Sequence, residues 1–600
     1  MTNIWNNFIS AATPAVLLFG RIGIAVLAIL LLIRCCRSLF APQGEKEIWG
    51  FLSLSNGARY ELYHWENMIG RSRSADIRIN FPSVSRTHAA ICRNEAAQWR
   101  VYPLNSHSGV LLNGTRVHAP QLLSPGDSIA VGGVELFFFP ATEQDEARQA
   151  QRRTKAGMRF SPAVGLWLLT LIQLLMILQF MPGWTEDTYL PILAGFCGLG
   201  GLSWLLYGLY RLLHRTAFEQ ETLLFFLVTI GFSVIAAYDP PALYKHLVLV
   251  MLGILLYLLM SFLLRNLRLS MALRGPAAAA AVGLLAFNIL FGERIFGAKN
   301  WVCIGPISFQ PSEFIKIEFI LAGAATLDRL FAKRNLIFTL LFSAFCVGSL
   351  ALMSDFGTAL IFFIAFLCIA FLRTGDLPSI VMMSAAAGFA GAIVLHFKPY
   401  VADRFSAWLH AWEYTQTTGY QQSRTMSAIA AGGLFGTGPE NGWLKYLGAA
   451  NTDLVFGVVG ETFGLLVAVT AVAAILVLAF YALRCASRAR SAFYTITSCS
   501  TAAMLVFQTA LNVLGAVDLL PLTGVTFPFV SMGGSSMIAC WGLAAFLKAA
   551  DTRQNAAFSC KLPKSRASDT PDDPSESEDF FDENPQIPVD RIFRKDGEGQ

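Results

Sequence analysis

Charged residues are scarce in this chain. Asp, Glu, Lys and Arg make up 14% of its 600 residues, against a hydrophobic fraction of 54%. Ordinary soluble domains carry about 25% charged residues. This balance excludes a soluble protein and implies many membrane spans, and the mean hydropathy of +0.52 agrees. The 11 cysteines are scattered, with no Cys-x-x-Cys pair. That excludes a disulfide framework and a zinc site. The adjacent Cys35 and Cys36 read as an inert pair rather than a lipidation site. No Lys or Arg precedes the first apolar run, Ala15–Ile33, whereas Arg34 and Arg37 follow it. A signal peptide carries its positive charge in front. The run is therefore expected to be an uncleaved span with its N-terminus outside.

What is present falls into distinct regions. After the first span (1–40), short β-type runs at Ile77–Asn80, His88–Cys92, Trp99–Tyr102, Ser128–Val131 and Val134–Phe139 alternate with turn signals. The turns are Asn113-Gly114, Pro125-Gly126-Asp127 and Gly132-Gly133. This pattern predicts a small all-β sandwich over 45–140. A linker over 141–160 bears Arg152, Arg153, Lys155 and Arg159. Twelve further spans follow, two over 161–218 and ten over 219–550, among them Phe314–Leu330, Leu454–Leu483 and Phe529–Leu547. Lys and Arg gather in alternate loops: Arg211 and Arg215, Arg265 and Arg268, Lys333 and Arg334, Arg373, Arg484 and Arg488, Lys548. The loop Pro182–Tyr189 has none. Positive loops stay in the cytoplasm. The β domain and C-terminus are therefore expected inside, and Asp453 on the opposite side. The long outer loop, Phe397–Asp453, has a length that usually signals function. The tail over 551–600, rich in Pro, Ser and acid, reads as disordered.

Within the β region stand Gly70-Arg71, Ser85-Arg86-Thr87-His88 and Asn113-Gly114. An Arg and a Ser on neighbouring loops of a sandwich can bind phosphate through charge-assisted and hydroxyl hydrogen bonds. This layout resembles the forkhead-associated (FHA) domain, a phosphothreonine reader. The resemblance implies that Arg71 and Ser85 hold the phosphate with help from Arg86. Ser108 and Asn113 would complete the ligand surface, and His88 would brace the loops. Where the family often reads Ser-x-Asn-Gly-Thr, this chain has Ser106-His107-Ser108-Gly109-Val110, which exchanges a ligand-contacting polar residue. An FHA fold used only for protein docking is the alternative. Thr570-Pro571-Asp572-Asp573 in the tail has a spacing FHA domains often read, but a phosphothreonine on a partner protein is the expected ligand.

Four constellations are expected on the outer face. The first runs from Phe296 through Gln310-Pro311-Ser312-Glu313 to Lys316. Glu313 suits the first turn of a helix and could be a cap alone. Lys316 lies one turn inside an apolar span, where a lone charge is expensive and calls for an anionic partner. The second is Ser354-Asp355-Phe356-Gly357-Thr358, where Asp355 reads either as an N-cap or as a site acid. The third runs from Gly419-Tyr420-Gln421 through Gly432-Gly433-Leu434-Phe435-Gly436-Thr437-Gly438 to Asn451-Thr452-Asp453-Leu454-Val455-Phe456. The fourth runs from Asn512 through Leu520-Pro521-Leu522-Thr523-Gly524-Val525 to Ser531-Met532-Gly533-Gly534-Ser535-Ser536. Its glycines and prolines forbid a regular helix, so it must line a protein cavity or water.

Together these motifs resemble the SEDS family, the FtsW/RodA/SpoVE peptidoglycan polymerases, over Thr222–Lys548. The implied fold is a polytopic α-helical membrane protein of about 13 spans, with a ten-span SEDS core and a cytoplasmic all-β FHA sandwich. The implied activity joins lipid II to a growing glycan at the outer face of the bacterial cytoplasmic membrane, during elongation, division or sporulation. The resemblance also implies a class B penicillin-binding protein as transpeptidase partner, a phosphothreonine protein on the FHA domain and a divalent cation (Mg or Mn). No nucleic acid is implied. A sugar hydroxyl must lose a proton as it attacks the anomeric carbon, and a positioned carboxylate suits that task. The leaving pyrophosphate needs cationic stabilisation. By resemblance Asp453 is the base, and Asp355 shapes the site or helps hold a metal. Lys316, Glu313, Gln310 and Arg424 contact substrate, with Arg294, Lys299 and Arg404 as further cations for the pyrophosphate.

Several positions depart from the family pattern. Gly448-Ala449-Ala450-Asn451 stands for Pro-Glu-x-His, and Arg424-Thr425 for Gln-Ser. Leu514 and Asp518 occupy positions often held by glycine, and Met532 replaces a frequent Tyr. Two alternatives follow: a catalytically weak scaffold that recruits cell-wall enzymes, or a lipid II flippase. A flippase needs a charged path across the membrane, whereas the acids here mark one face.

Overall fold

The computed structural model describes residues 2–551, apart from 42–46, 74, 95, 105–107, 143, 147–160, 216, 296–297, 306, 331–332, 376 and 398–404. The linker cations Arg152, Arg153, Lys155 and Arg159, the loop residues Ser106 and His107, Arg404 and the tail with Thr570 lie outside the described residues.

The alternating runs near the N-terminus form eleven strands: β1 (Gly50–Leu54), β2 (Arg59–Glu61), β3 (Glu66–Gly70), β4 (Ile77–Arg78), β5 (Ala89–Arg93), β6 (Trp99–Pro103), β7 (Val110–Leu112), β8 (Thr115–Val117), β9 (Gln121–Leu123), β10 (Ser128–Val131) and β11 (Val134–Pro140). They make two sheets, ordered β2-β1-β11-β10-β7-β8 and β4-β3-β5-β6-β9. Leu52, Ile69, Ile91, Val101, Ile129, Leu136 and Phe138 are buried in one core. This is the expected sandwich.

The helices are α1 (Thr2–Leu39), α2 (Pro162–Phe180), α3 (Tyr189–Leu212), α4 (Glu219–Tyr238), α5 (Ala242–Leu263), α6 (Arg274–Phe291), α7 (Pro311–Gly323), α8 (Lys333–Leu352), α9 (Phe356–Thr374), α10 (Leu377–Phe397), α11 (Tyr420–Gly432), α12 (Val455–Thr462), α13 (Leu465–Ala486), α14 (Ala492–Ala516) and α15 (Gly534–Ala549). Ten helices among the described residues are long and apolar enough to cross a membrane. The chain is a multi-pass membrane protein. Three of these ten precede Glu219 and seven follow. The shorter helices α7, α10 and α15 occupy three further apolar runs and bring the second group to ten, with the polar α11 left out and α12 counted with α13.

Three expected spans are shorter than their apolar runs. The helix of the run Phe314–Leu330 stops at Gly323, because Ala324 turns to an extended ψ of 149°, and resumes only as the short helix Leu327–Leu330. The run Leu454–Leu483 breaks at Gly464, whose φ is +91°. Any side chain at Gly464 would strike the carbonyl of Leu434, so the break lets the glycine-rich loop lie against it. Before Gly534 the chain of Phe529–Leu547 is irregular, with Phe529 in the left-handed region at φ +64°.

A buried polar hub ties two of the three early spans, α1 and α3, to the ten-span core. Glu219, Gln220 and Glu221 open α4. Ser38 of α1 donates to Glu219 at 2.6 Å, and Gln220 donates to Asp551 at 3.1 Å. Glu221 accepts from Tyr210 of α3 at 2.8 Å and pairs with Lys548 at 3.0 Å. Lys548, which the loop-charge pattern groups with the flanking cations, is thus buried with an acid. Removing one partner of a buried ion pair leaves an uncompensated charge, at a cost of roughly 3–5 kcal/mol. Glu221→Ala should therefore lower the unfolding temperature in detergent sharply, while Glu221→Gln combined with Lys548→Met should restore most of it. A single variant as stable as the parent would contradict the role of this hub.

Candidate active site

The third constellation delivers its acid on a tight turn. Ala449 takes a φ of +63°, and its carbonyl accepts from the N–H groups of Thr452 (3.2 Å) and Asp453 (2.9 Å). The half-buried Asp453 therefore stands two residues before α12. Asn512 of α14 pins this turn, donating to the carbonyls of Asp453 (3.0 Å) and Val525 (2.7 Å). Ser531 donates to the Thr452 carbonyl at 2.6 Å, and the Met532 N–H donates to Asn451 at 2.9 Å. A Cβ on Gly524 would lie 3.4 Å from Asp453 Oδ2. The carboxylate thus lies beside the Thr523-Gly524-Val525 loop.

The same loop meets the second constellation. A Cβ on Gly357 would lie 2.6 Å from Val525 Cγ2 and 3.1 Å from Thr523 Cβ, so glycine permits the approach. Asp355 combines its two readings. Oδ1 caps α9 by accepting from the Thr358 N–H at 3.2 Å. Oδ2 accepts from Asn300 at 3.0 Å and from Gln310 at 3.3 Å. The Gln310 N–H in turn reaches Ser535 Oγ at 3.3 Å. All four motifs therefore converge.

Lys316 has the anionic partner that its depth demands, and that partner is Glu313, at 2.9 Å. Its ammonium also donates to Gln508 Oε1 at 2.9 Å. With relative exposures of 1% and 5%, the pair faces inward. This corrects the expectation that Lys316 and Glu313 touch substrate: their charges are used on each other, and they act on the site through Gln508. Gln508 passes the connection on, donating to the Thr526 carbonyl at 2.9 Å. Arg424 remains exposed, 5.5 Å from the Tyr420 ring centroid. Arg294 is exposed on a three-stranded meander, β12 (Glu293–Ile295), β13 (Ala298–Ile304) and β14 (Ile307–Phe309), which the apolar pattern did not reveal. Lys299 turns back to the Ile289 carbonyl at 2.5 Å.

Three further residues carry the site without having been singled out. Gln508 and Asn300 cross-link motifs as described. Glu461 accepts from the N–H groups of Trp443 (2.9 Å) and Leu444 (3.0 Å) and fixes the loop before Asp453. Gln508 and Glu461 are polar residues inside apolar runs, a signal that could have flagged both. Among the described residues no cluster of three or more His, Cys, Asp or Glu could hold a metal ion. The implied divalent cation thus has no protein-built cage among them.

At the β domain, His88 is buried and braces two loops. Its Nδ1 accepts from the Ser85 N–H at 3.1 Å, and Nε2 faces the Gly109 carbonyl at 2.8 Å. Arg71 N–H donates to the Ser85 carbonyl at 3.0 Å, which sets Arg71, Ser85 and Arg86 on adjoining loops. Ser108 joins them, donating to the Ser83 carbonyl at 3.2 Å. Asn113 does not. It sits at the far end of β7 from Gly109, and its amide is used by Asp127 and Ser128, both at 2.9 Å. Its placement on the ligand surface is corrected accordingly.

Fold and site together define a multi-pass membrane protein with a motif-built polar face and an appended FHA domain. The FHA-domain model matches residues 67–132. The model of the FtsW/RodA/SpoVE cell cycle proteins matches residues 223–556, more than half of the chain's 600 residues. The chain belongs to that family. A protein named "Probable peptidoglycan glycosyltransferase FtsW" from Tolumonas auensis is 32% identical over 275 residues, 44% of this chain and 72% of its own length. Its namesake from Allochromatium vinosum is 30% identical over 282 residues, 45% of this chain and 71% of its own length. A solved chain from a peptidoglycan synthase complex that coordinates polymerization and crosslinking is 27% identical, with a TM-score of 0.47, over 55% of this chain and 96% of its own.

One departure from the family pattern has a local explanation. Asp518 adopts φ +62°, a conformation that glycine takes without strain. Its carboxylate accepts from Leu409 N–H (3.1 Å) and Ala411 N–H (3.0 Å), anchoring the long loop. Hydrogen bonds to charged groups contribute about 1.5–3 kcal/mol. Asp518→Gly should keep the turn but speed hydrogen exchange at Leu409 and Ala411 about tenfold or more. Unchanged exchange at both amides would contradict the anchor.

Proposed function

We propose that this chain is a peptidoglycan glycosyltransferase that polymerises lipid II, with Asp453 as general base. The observation that carries the reading is the convergence of all four motifs on one loop, Thr523–Ser536, beside a half-buried carboxylate. In the reaction, an acceptor sugar hydroxyl attacks the anomeric carbon of the donor. The new C–O bond forms as the bond to the pyrophosphate oxygen breaks. The electron pair leaves with the pyrophosphate, and the hydroxyl proton passes to Asp453. The exposed Arg424 and Arg294 are the cations proposed to meet the pyrophosphate, and Asp355 shapes the site as the knot between α9, Asn300 and Gln310. A divalent cation would come with the diphosphate, and no step above runs through it.

The loop charges favour an Asp453 face outside and an FHA domain inside. There the FHA domain would read a phosphothreonine protein through Arg71, Ser85, Arg86 and Ser108 and so govern recruitment. A class B penicillin-binding protein would crosslink the product. General bases contribute about 10²–10⁴-fold. Asp453→Asn should therefore lower lipid II polymerisation at least about a hundredfold, with an unchanged unfolding temperature. Activity within a few-fold of the parent would remove the base assignment and favour a scaffold or flippase. For the FHA domain, titration of phosphothreonine peptides should show binding by the parent and loss in Arg71→Ala. Equal affinities would sink the phosphate reading.

A further inference from the structure

The β domain is seated on the membrane domain by a three-residue wedge, His64-Trp65-Glu66. Glu66 is 8% exposed. Its Oε1 accepts from Ser491 Oγ at 2.6 Å. Its Oε2 accepts from two backbone N–H groups, Ala492 at 3.1 Å and Leu327 at 2.8 Å. Ala492 is the first residue of α14, and Leu327 the first of the short helix Leu327–Leu330 that follows α7. Helix starts leave N–H groups unsatisfied and favour negative charge. One carboxylate from the β domain thus answers two helix starts of the membrane domain at once. Its neighbours reinforce the seat. Trp65 N–H donates to the Arg490 carbonyl at 2.9 Å, the Arg490 guanidinium lies 5.1 Å from the Trp65 ring, and His64 Nδ1 lies 2.9 Å from the Ala489 carbonyl.

One clamped segment, α14, builds the polar face directly, and the other, Leu327–Leu330, is joined to α7 through the extended turn at Ala324. α14 carries Gln508 and Asn512, and α7 carries Glu313 and Lys316. They are cross-linked by the Lys316–Gln508 hydrogen bond. From Ala492 to Asn512 the helix rises about 30 Å, so the clamp acts from the opposite end of the bundle. On the other side, β3 begins at Glu66 and ends at Gly70, next to Arg71. A strand of this length spans about 16 Å, which leaves the phosphate loops clear of the seat.

We propose that Glu66 is a positioning residue for the reaction: it fixes the spacing of α14 and the α7 segment, so that Lys316 reaches Gln508 and Asn512 holds the Asp453 turn. The activity arm rests on the glycosyltransferase reading above; the exchange arm does not. Glu66→Ala should lower kcat for lipid II polymerisation about tenfold, the scale that changes along coupled networks produce. KM and phosphothreonine-peptide affinity should stay within about twofold, which marks a positioning effect rather than lost binding. Glu66→Gln, which keeps an acceptor oxygen for one partner, should restore part of kcat. In hydrogen exchange, Glu66→Ala should speed Ala492 and Leu327 and also the distant Thr452 and Asp453 amides. Faster exchange at Ala492 and Leu327, with kcat and the Thr452 and Asp453 amides unchanged, would overturn the proposal and make the wedge a tether. If the parent makes no polymer, the glycosyltransferase reading fails. The Thr452 and Asp453 amides then decide the positioning role alone. A Glu66→Ala chain that does not fold is replaced by Ser491→Ala, which removes one ligand of Glu66 and should produce the same changes in smaller measure; no change in it would overturn the proposal.

Discussion

The Lys316 ammonium, 1% exposed inside an apolar bundle, is a charge the fold must hold in place. Glu313 balances it from one turn away, and Gln508 takes a second proton from another helix. A glutamine amide has two ends, and the other end of Gln508 donates to Thr526. Thr526 in turn meets Ser536 at 3.0 Å. The irregular fourth motif is thus hung from the same buried charge that locks α7 to α14. Replacing any one member leaves a desolvated polar group rather than a simple gap, so the cluster stands or falls together.

Irregular backbone at membrane depth survives only where its polar groups find partners. Here they find them in side chains reached from neighbouring motifs: Asn512 for the Asp453 turn, Ser531 for Thr452, and Glu461 for Trp443 and Leu444. This bears on the missing carboxylate and imidazole before Asp453. The Gly448–Asn451 stretch uses backbone instead. The left-handed Ala449 carbonyl collects the following N–H groups, and Asn451 is tied to Met532. The turn is held without the family's usual side chains, which supports an organised site rather than a decayed one.

Much of this was legible in the residues. Apolar runs and loop charges marked thirteen spans, and the alternating runs marked the sandwich. What they missed has physical causes. Hydropathy averages over a window, so it reads Leu454–Leu483 as one span and cannot see the backbone contact that requires Gly464 at φ +91°. It passes over Gln508, because one amide hardly changes the mean of a 25-residue helix. It placed Lys316 rightly as a charge needing an anion, but could not tell an internal Glu313 from a bound pyrophosphate. Asn113 was drawn toward the ligand by its motif, whereas Asp127 and Ser128, distant in sequence, hold its amide. Nor could loop chemistry show that Glu66 leaves the sandwich to cap helices more than 250 positions away, since such pairings follow from packing alone.

The central claim is that these motifs form one working glycosyltransferase site. It is tested most directly by incubating the purified parent chain, in lipid and with a class B penicillin-binding protein whose own contribution is measured separately, with lipid II alone. The account predicts glycan polymers of increasing length that depend on this chain. Intact lipid II after prolonged incubation, with the chain demonstrably folded, would contradict it.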